Sequence, residues 1–151
     1  MAAPADDVIE FDELCLRQSS PLWLCVCVSR QTRRVLGAAL GGRTDETLLW
    51  VWAEVPQTTG AGRSIPTTPI YTDHWGAYSC LLPAGQHHPC DKGTGLTSIV
   101  ESLNTKWRQR QSGLVRRACG VHPRIEDDLF ERFRLLVDEH NRQSAWRWQR
   151  R

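Results

Sequence analysis

The chain has no long apolar run, and this absence limits where the protein can reside. None of its 151 residues lie in a stretch that approaches the about 18 consecutive apolar residues of a membrane span. The start, MAAPADDVIEF, has no basic segment followed by an apolar one, so it does not resemble a secretory signal. We therefore expect a soluble, cytoplasmic protein of one domain that does not associate with a membrane.

Paired cysteines are also absent, although the chain has six cysteines. Cys25 and Cys27 alternate along one apparent strand and the others are scattered without a CxxC pair, so we expect reduced thiols instead of a disulfide framework. A zinc site would have to use four clustered residues, namely His87, His88, Cys90 and Cys80. This set has no recognisable second half, and we favour ordinary structural roles for its members.

Basic residues, in contrast, are concentrated in two segments. Residues 106–117 read KWRQRQSGLVRR, and the chain ends in WRWQRR. Clustered arginines with interleaved tryptophans suit a nucleic acid, because guanidinium groups neutralise phosphates and aromatic faces stack on bases. A solvated helix face has the same composition. Both interpretations stay open when charge is considered alone.

The hydrophobic pattern predicts alternating strands and helices. Strands are predicted over residues 8–14, 22–29, 35–42, 69–72 and 87–90, and helices over residues 44–56, 74–82 and 97–111. The first three strands follow one another through short turns, which is typical of an antiparallel meander. After Pro123, an apolar stripe predicts another helix; it consists of Ile125, Leu129, Phe130, Phe133, Leu136, Val137 and His140.

This order of elements predicts a mixed α/β fold. Three antiparallel strands would be extended by parallel strands with crossover helices, as in a ribonuclease-H-like fold. We expect a tail over residues 1–7, a ribonuclease-H-like catalytic domain over residues 8–120, and a C-terminal helix with a basic tail over residues 121–151.

Three carboxylates occupy chemically useful places in that order: Asp12 in the first strand, Asp73 at the end of the fourth, and Glu101 early in the long helix. The first and fourth strands are neighbours in such a sheet, so these acids would approach one another. Clustered carboxylates repel unless a cation neutralises them, which implies Mg²⁺ or Mn²⁺. Two such ions about 4 Å apart would support in-line phosphoryl transfer.

Each acid also has an ordinary structural interpretation. Asp12 could be an exposed charge on a sheet edge, and Asp73 could be the N-cap of the helix that follows it. Glu101 could lie on a solvated helix face. No single one of these acids indicates catalysis; only the three together support the catalytic interpretation.

At these residues the chain resembles the catalytic portion of transposases of the insertion-sequence-one family, a branch of the DDE transposases. The similar stretches are FDEL, LGGRT, YTDHWGAY and VESLNTKWRQRQSGLVRR. The family pattern has an Asp-Glu pair, then an Asp with an aromatic residue two positions later, then a Glu followed by Asn and two Arg. The match spans residues 8–142, with departures at Ser102 and Trp107.

The resemblance implies that Asp12, Asp73 and Glu101 are catalytic residues that bind Mg²⁺ or Mn²⁺. Residues implied to lie near the DNA backbone are Asn104, Arg108 and Arg110, and the basic segment adds Arg116 and Arg117. The implied partners are double-stranded DNA, as transposon ends and target, and further copies of the chain in a homo-oligomer. Such a protein would be associated with the nucleoid.

Three functions therefore remain open. Members of the family bind their transposon ends through an N-terminal zinc-binding and helix-turn-helix region, and we expect that region to be absent here. The leading hypothesis is a transposase catalytic domain that cuts ends and joins them to target DNA. The alternatives are a ribonuclease-H-like nuclease that only hydrolyses, and a truncated, non-catalytic transposase product that binds DNA or inhibits its full-length partner.

Overall fold

The computed structural model describes residues 7–17, 22–59, 68–110 and 124–148. The described elements are β1 (Ile9–Arg17), β2 (Leu22–Ser29), β3 (Val35–Gly41), α1 (Asp45–Thr59), β4 (Ile70–Thr72), α2 (Gly76–Leu81), β5 (His87–Pro89), α3 (Ser98–Arg110) and α4 (Arg124–Trp148). Among these, no helix combines the length and the apolar character that crossing a bilayer would require.

The strands form a five-stranded mixed sheet in the order β3-β2-β1-β4-β5. β1 pairs with β2 and β2 pairs with β3 in antiparallel fashion, whereas β4 lies parallel to both β1 and β5. The prediction of a mixed α/β fold, with an antiparallel part extended by parallel strands and flanked by helices, is confirmed. The longest strand, β1, lies in the middle of the sheet, so side chains on both of its faces are covered.

Two apolar cores cover the two faces of the sheet. Successive residues of a strand point to opposite faces, so Phe11 packs with α1 and α2 while Leu14 packs with α3 and α4. The first core includes Tyr78, whose ring lies 5.9 Å from that of Phe11. The second contains Trp107, which is 2% exposed. Burial of each such large side chain stabilises the fold by about 2 kcal/mol.

Helix α1 lies unusually close to β3. A Cβ atom on Gly37 would lie 2.4 Å from the carbonyl oxygen of Val51, so no larger residue fits there without moving the helix. The prediction that Pro56 ends this helix is wrong, because α1 continues to Thr59. A proline removes one hydrogen-bond donor and its ring crowds the carbonyl four residues earlier, but the burial of Val51 and Val55 against the sheet holds the helix in place.

Helix α4 closes the outer edge of β3 at Val35. The side chain of Asn141 accepts a hydrogen bond from the Val35 N–H at 2.7 Å and donates one to the Val35 carbonyl at 3.0 Å. The predicted apolar stripe is present: Leu129 and Phe133 are buried, and Phe130 is exposed. The side chain of Ile125 lies outside the described residues. Asn141 therefore takes the place of a strand partner at Val35, the first residue of this edge strand.

Candidate active site

Asp12 lies in β1 opposite Val26 and faces helix α3. Its Oδ2 accepts a hydrogen bond of 2.8 Å from Nδ2 of Asn104. The pKa of Asp12 is raised to about 7, mainly by burial; the Asn104 hydrogen bond acts in the opposite direction, and the charges of Glu13 and Asp73 contribute to the rise. A nearby cation would stabilise the charged form of this buried carboxyl and so lower its pKa. The interpretation of Asp12 as an exposed edge charge does not fit this position.

Asp73 follows the last residue of β4, the strand that pairs with the strand of Asp12. β1 and β4 are parallel, with Ile9 opposite Ile70 and Glu10 opposite Tyr71. Burial is the main cause of the raised Asp12 pKa, and the charge of Asp73 is a smaller cause in the same direction. The two carboxylates are therefore near enough, where β4 ends, for their charges to act on each other.

The Asp73 side chain holds a turn and does not cap the following helix. Its Oδ1 accepts a hydrogen bond of 2.8 Å from the Trp75 N–H. Helix α2 begins only at Gly76, and its N-cap residue is Trp75, which makes no side-chain cap hydrogen bond. The predicted start of this helix at His74 was therefore too early. The second oxygen of Asp73, Oδ2, lies 4.0 Å from the guanidinium of Arg43.

Glu101 lies on α3 but does not join the two aspartates. Its side chain is exposed and accepts a hydrogen bond of 2.7 Å from the Thr97 hydroxyl, one turn earlier in the chain. Within the described ranges, no three acidic, histidine or cysteine side chains are grouped closely enough to hold a metal ion. The structure thus brings together Asp12 and Asp73, and from α3 it adds Asn104 instead of Glu101.

A second polar network lies on the opposite face of β1. The Arg43 Nε donates to Glu13 Oε1 at 2.9 Å, and the Tyr78 hydroxyl donates to Glu13 Oε2 at 2.6 Å. The guanidinium carbon of Arg43 is 4.9 Å from the ring centre of Trp23 and equally far from that of Trp75. Burial and the Glu13 charge raise the pKa of Tyr78, so this residue donates its proton to Glu13 as a neutral phenol.

Glu10 fixes the position of α3 relative to β1. This residue is fully buried, and its Oε2 accepts hydrogen bonds from the Ile99 and Val100 N–H groups at 2.9 and 3.0 Å. Its Oε1 accepts from Arg30 Nε at 2.6 Å. A negative charge at the first turn of a helix is favourable, because it satisfies otherwise free N–H groups. Sequence reasoning missed Glu10 and Arg43, whose partners come from distant segments.

The residues expected to contact DNA differ in how exposed they are and in whether the structure describes them. Asn104 is 4% exposed and faces Asp12, so in this arrangement it lies within the site. Arg108 is half-buried on α3. The side chain of Arg110 and the whole of Arg116 and Arg117 lie outside the described residues. The expectation of DNA contact therefore stays a prediction for all of them.

The residues considered for zinc have other contacts. His87 Nε2 lies 2.7 Å from the Thr72 hydroxyl, and burial together with the charge of His88 lowers the His87 pKa. The Cys90 thiol donates to the His88 carbonyl at 3.1 Å. Cys80 is exposed on α2. Since His87 bonds within the sheet, its role in the described structure is that of a strand residue.

The oxygen atoms at the aspartate pair suit a hard divalent cation. Asp12 and Asp73 supply carboxylates, and Oδ1 of Asn104 is buried without a hydrogen-bond partner among the described residues. Carboxylate and amide oxygens are the ligands preferred by Mg²⁺ and Mn²⁺, so this donor set fits such an ion.

Comparisons with models of known protein families and with curated proteins found no match for the chain.

Proposed function

We propose that this chain is the catalytic portion of a transposase of the insertion-sequence-one family, with a ribonuclease-H-like fold. One observation carries the proposal: Asp12 and Asp73 lie on the neighbouring parallel strands β1 and β4 or directly after them, close enough for their charges to interact, in a sheet ordered β3-β2-β1-β4-β5. A ribonuclease-H-like sheet would have this strand order. The sequence resemblance supplies the substrate class, which is double-stranded DNA.

The proposed chemistry assigns a role to each residue at the site. Asp12 and Asp73 would hold Mg²⁺ or Mn²⁺, with Asn104 Oδ1 as a further oxygen ligand. Bound there, the cation would activate a water or a 3′-hydroxyl and stabilise the leaving oxygen at a phosphodiester. Asn104 Nδ2 holds the Asp12 carboxylate in place, and Glu10 holds the helix that carries Asn104. The chain's own contribution is therefore to fix the ligands before substrate arrives.

DNA would approach from the side of α3. Lys106 and Arg108 lie on this helix, which also carries Asn104, and the basic segment of residues 106–117 begins there. Their charges suit a phosphate backbone, and binding through them would weaken steeply as salt concentration rises. Because transposition holds two DNA ends together, the proposal includes a homo-oligomer that acts at the nucleoid.

One contact favours a second candidate, a non-catalytic DNA-binding or inhibitory product. The Glu101 carboxylate bonds to Thr97, so the third acid of the family pattern is directed away from the aspartate pair. A nuclease that only hydrolyses would use the same two aspartates. The three functions differ in their products, which makes them separable in one assay.

The test is a strand-transfer assay with a pre-cleaved duplex end, a double-stranded target, and Mg²⁺ or Mn²⁺. Wild type is expected to join the end to the target, and Asp12→Asn and Asp73→Asn to reduce joining by about a hundredfold or more. Glu131→Gln is the matched control, since Glu131 is an exposed acid on α4. Cleavage without joining would indicate the nuclease. DNA binding without any product, or equal activity of wild type and Asp73→Asn, would exclude the transposase.

A further inference from the structure

We infer that two copies of this chain form a closed dimer by pairing their β3 strands in antiparallel fashion. The inference rests on the proposed function for the expectation of a homo-oligomer, and it names the surface through which that oligomer forms. Helices α1 and α4 lie on opposite faces of the sheet and both reach the outer side of β3. This β3 edge surface consists of Ala38, Leu40, Trp50, Phe130, Arg134 and Asp138.

The second half of β3 presents backbone groups to an open side. β3 is the first strand in the sheet order, so one of its sides has no neighbouring strand among the described residues. The Ala38 N–H points to that side, where it donates to Glu54 Oε2 at 3.1 Å in a solvent-exposed bond. Alternate residues of an antiparallel strand point the same way, so the Leu40 N–H and carbonyl are directed outward as well. Asn141 occupies only the Val35 end, and a second strand can pair with the rest.

Large apolar side chains flank this edge on both faces of the sheet. Trp50 is 52% exposed and lies one turn before Glu54, on the side of α1 that reaches Ala38. Phe130 is 42% exposed and lines, together with Ala38, a groove between α4 and the strand edge. Exposed apolar groups on both sides of an unpaired strand are typical of an interaction surface, and a second copy beside β3 would cover both of them.

The outward row of α4 is complementary in charge to itself. Phe130, Arg134 and Asp138 follow one another at intervals of four residues, and all three line the groove beside β3. Antiparallel pairing of the two β3 strands gives a two-fold axis perpendicular to the sheet, so the two α4 helices run in opposite directions on the same face. Arg134 of one protomer then approaches the partner's Asp138, and the symmetric contact repeats it. This complementarity favours a second copy of the chain over an unrelated strand.

The dimer would leave both candidate active sites accessible. Asp12 lies on β1, which is separated from β3 by β2, and Asp73 follows β4 on the far side of β1. Pairing at β3 therefore joins two five-stranded sheets into one continuous sheet without covering either aspartate. Each dimer would present two sites, one for each of the two DNA ends that the proposed reaction holds together.

The experiment is sedimentation equilibrium of the full chain over a range of protein concentrations, without DNA. The mass of wild type is expected to rise to twice that of one chain and no further. Trp50→Ser should weaken dimerisation by about tenfold or more, because buried aromatic side chains supply much of the binding energy of an interface. The matched control is Leu135→Ser, which removes an exposed apolar side chain of α4 that does not line the groove and should stay within a few fold of wild type.

Exchange of two charges tests the two-fold arrangement. Arg134→Glu places an acid opposite the partner's Asp138 and should weaken dimerisation by about tenfold. The double variant Arg134→Glu with Asp138→Arg exchanges the charges on both protomers and should return dimerisation to within a few fold of wild type. Arg142→Glu, at an exposed arginine of α4 outside the groove, is the control. A double variant that dimerises no better than Arg134→Glu would contradict this arrangement.

Amide hydrogen exchange of wild type tests the strand pairing and decides the matter where a variant does not fold, as judged by circular dichroism. The Leu40 amide should exchange about tenfold more slowly at a concentration at which the protein is dimeric than at one at which it is monomeric. The amide of Lys92, an exposed residue beyond the opposite edge of the sheet, is the control and should not change. Equal exchange of Leu40 at both concentrations would refute pairing through β3.

The results separate this inference from the proposed function. A wild type that stays monomeric would overturn the inference and leave the β3 edge surface to a different partner. Association that continues beyond the dimer would overturn it as well, since a two-fold interface closes on itself. A dimer with the expected response to the variants but no DNA joining would uphold the inference and exclude only the transposase. DNA joining by a monomer would uphold the transposase and overturn the inference.

Discussion

The side-chain amide of Asn104 on α3 donates a 2.8 Å hydrogen bond to Oδ2 of Asp12 on β1. This bond ties the helix to the strand at Asp12. It favours the charged form of Asp12 and so lowers a pKa that burial raises. Asn104 thus makes the Asp12 carboxylate more available to a cation.

Asn104→Ala is expected to raise the pKa of Asp12 above its value of about 7, because the bond that lowers it is lost. The free energy of unfolding should fall by about 2 kcal/mol, as for loss of a hydrogen bond to a charged group. Titration of the Asp12 carboxyl carbon by NMR and urea unfolding measure the two effects. Thr105→Ala, on the exposed side of the same helix, is the control. An unchanged Asp12 pKa would show that Asn104 has no electrostatic role.

The raised pKa of Asp12 predicts how the stability of the metal-free protein depends on pH. This pKa is about 7 in the folded protein, against the 3.8 of an unperturbed aspartate, which applies to the unfolded chain. Between these values the folded state keeps a proton that the unfolded state releases. The contribution of this group to stability is therefore complete below pH 3.8 and lost as pH rises through about 7. The loss amounts to about 4 kcal/mol.

The measurement compares wild type with Asp12→Asn, which does not titrate. Urea unfolding in the presence of a chelator should show that the variant is more stable than wild type at pH 8, and that this gain becomes small or reverses at pH 4. Mg²⁺ at pH 8 should stabilise wild type, because it binds the folded form, and leave Asp12→Asn unchanged. A difference between the two proteins that does not vary with pH would contradict the raised pKa.

The sequence could predict the mixed sheet and the adjacency of the two strands that carry or precede Asp12 and Asp73. An apolar stretch that ends before Asp73 marks the end of a strand, and the order of elements makes that strand a neighbour of β1. Arg43 could not be found in this way, since its flanking residues Trp23 and Trp75 belong to distant segments that meet only in the folded chain.

The orientation of Glu101 shows where sequence reasoning stops. Helical spacing places Glu101 and Asn104 on about the same face of α3. Burial of Leu103 and Trp107 against the sheet sets the rotation of the helix. In that rotation Asn104 faces Asp12, and Glu101 lies at the exposed side beside Thr97. A small rotation of a helix thus decides which polar side chain reaches the site, and the apolar residues Leu103 and Trp107, four positions apart, set that rotation.

Glu10→Gln is expected to loosen α3 from the sheet. The carboxylate accepts two backbone N–H groups at the start of α3 and the Nε–H of Arg30, and a neutral amide leaves the buried arginine contact uncompensated. The free energy of unfolding should fall by about 3 kcal/mol. Glu131→Gln, an exposed substitution on α4, should change it by less than about 0.5 kcal/mol. Hydrogen exchange of the Ile99 and Val100 amides tests the mechanism, and equal protection in variant and wild type would refute it.

Asn141→Ala is expected both to destabilise the fold and to expose the edge of β3. In wild type the Asn141 amide bonds to the N–H and the carbonyl of Val35. Losing both bonds should lower the free energy of unfolding by about 2 kcal/mol. Unpaired edge groups favour pairing with another chain, so light scattering should show more association with rising concentration than in wild type. The control is Gln143→Ala, an exposed change on the same helix. Unchanged stability and association would mean that apolar packing of Phe133 alone holds α4 on the sheet.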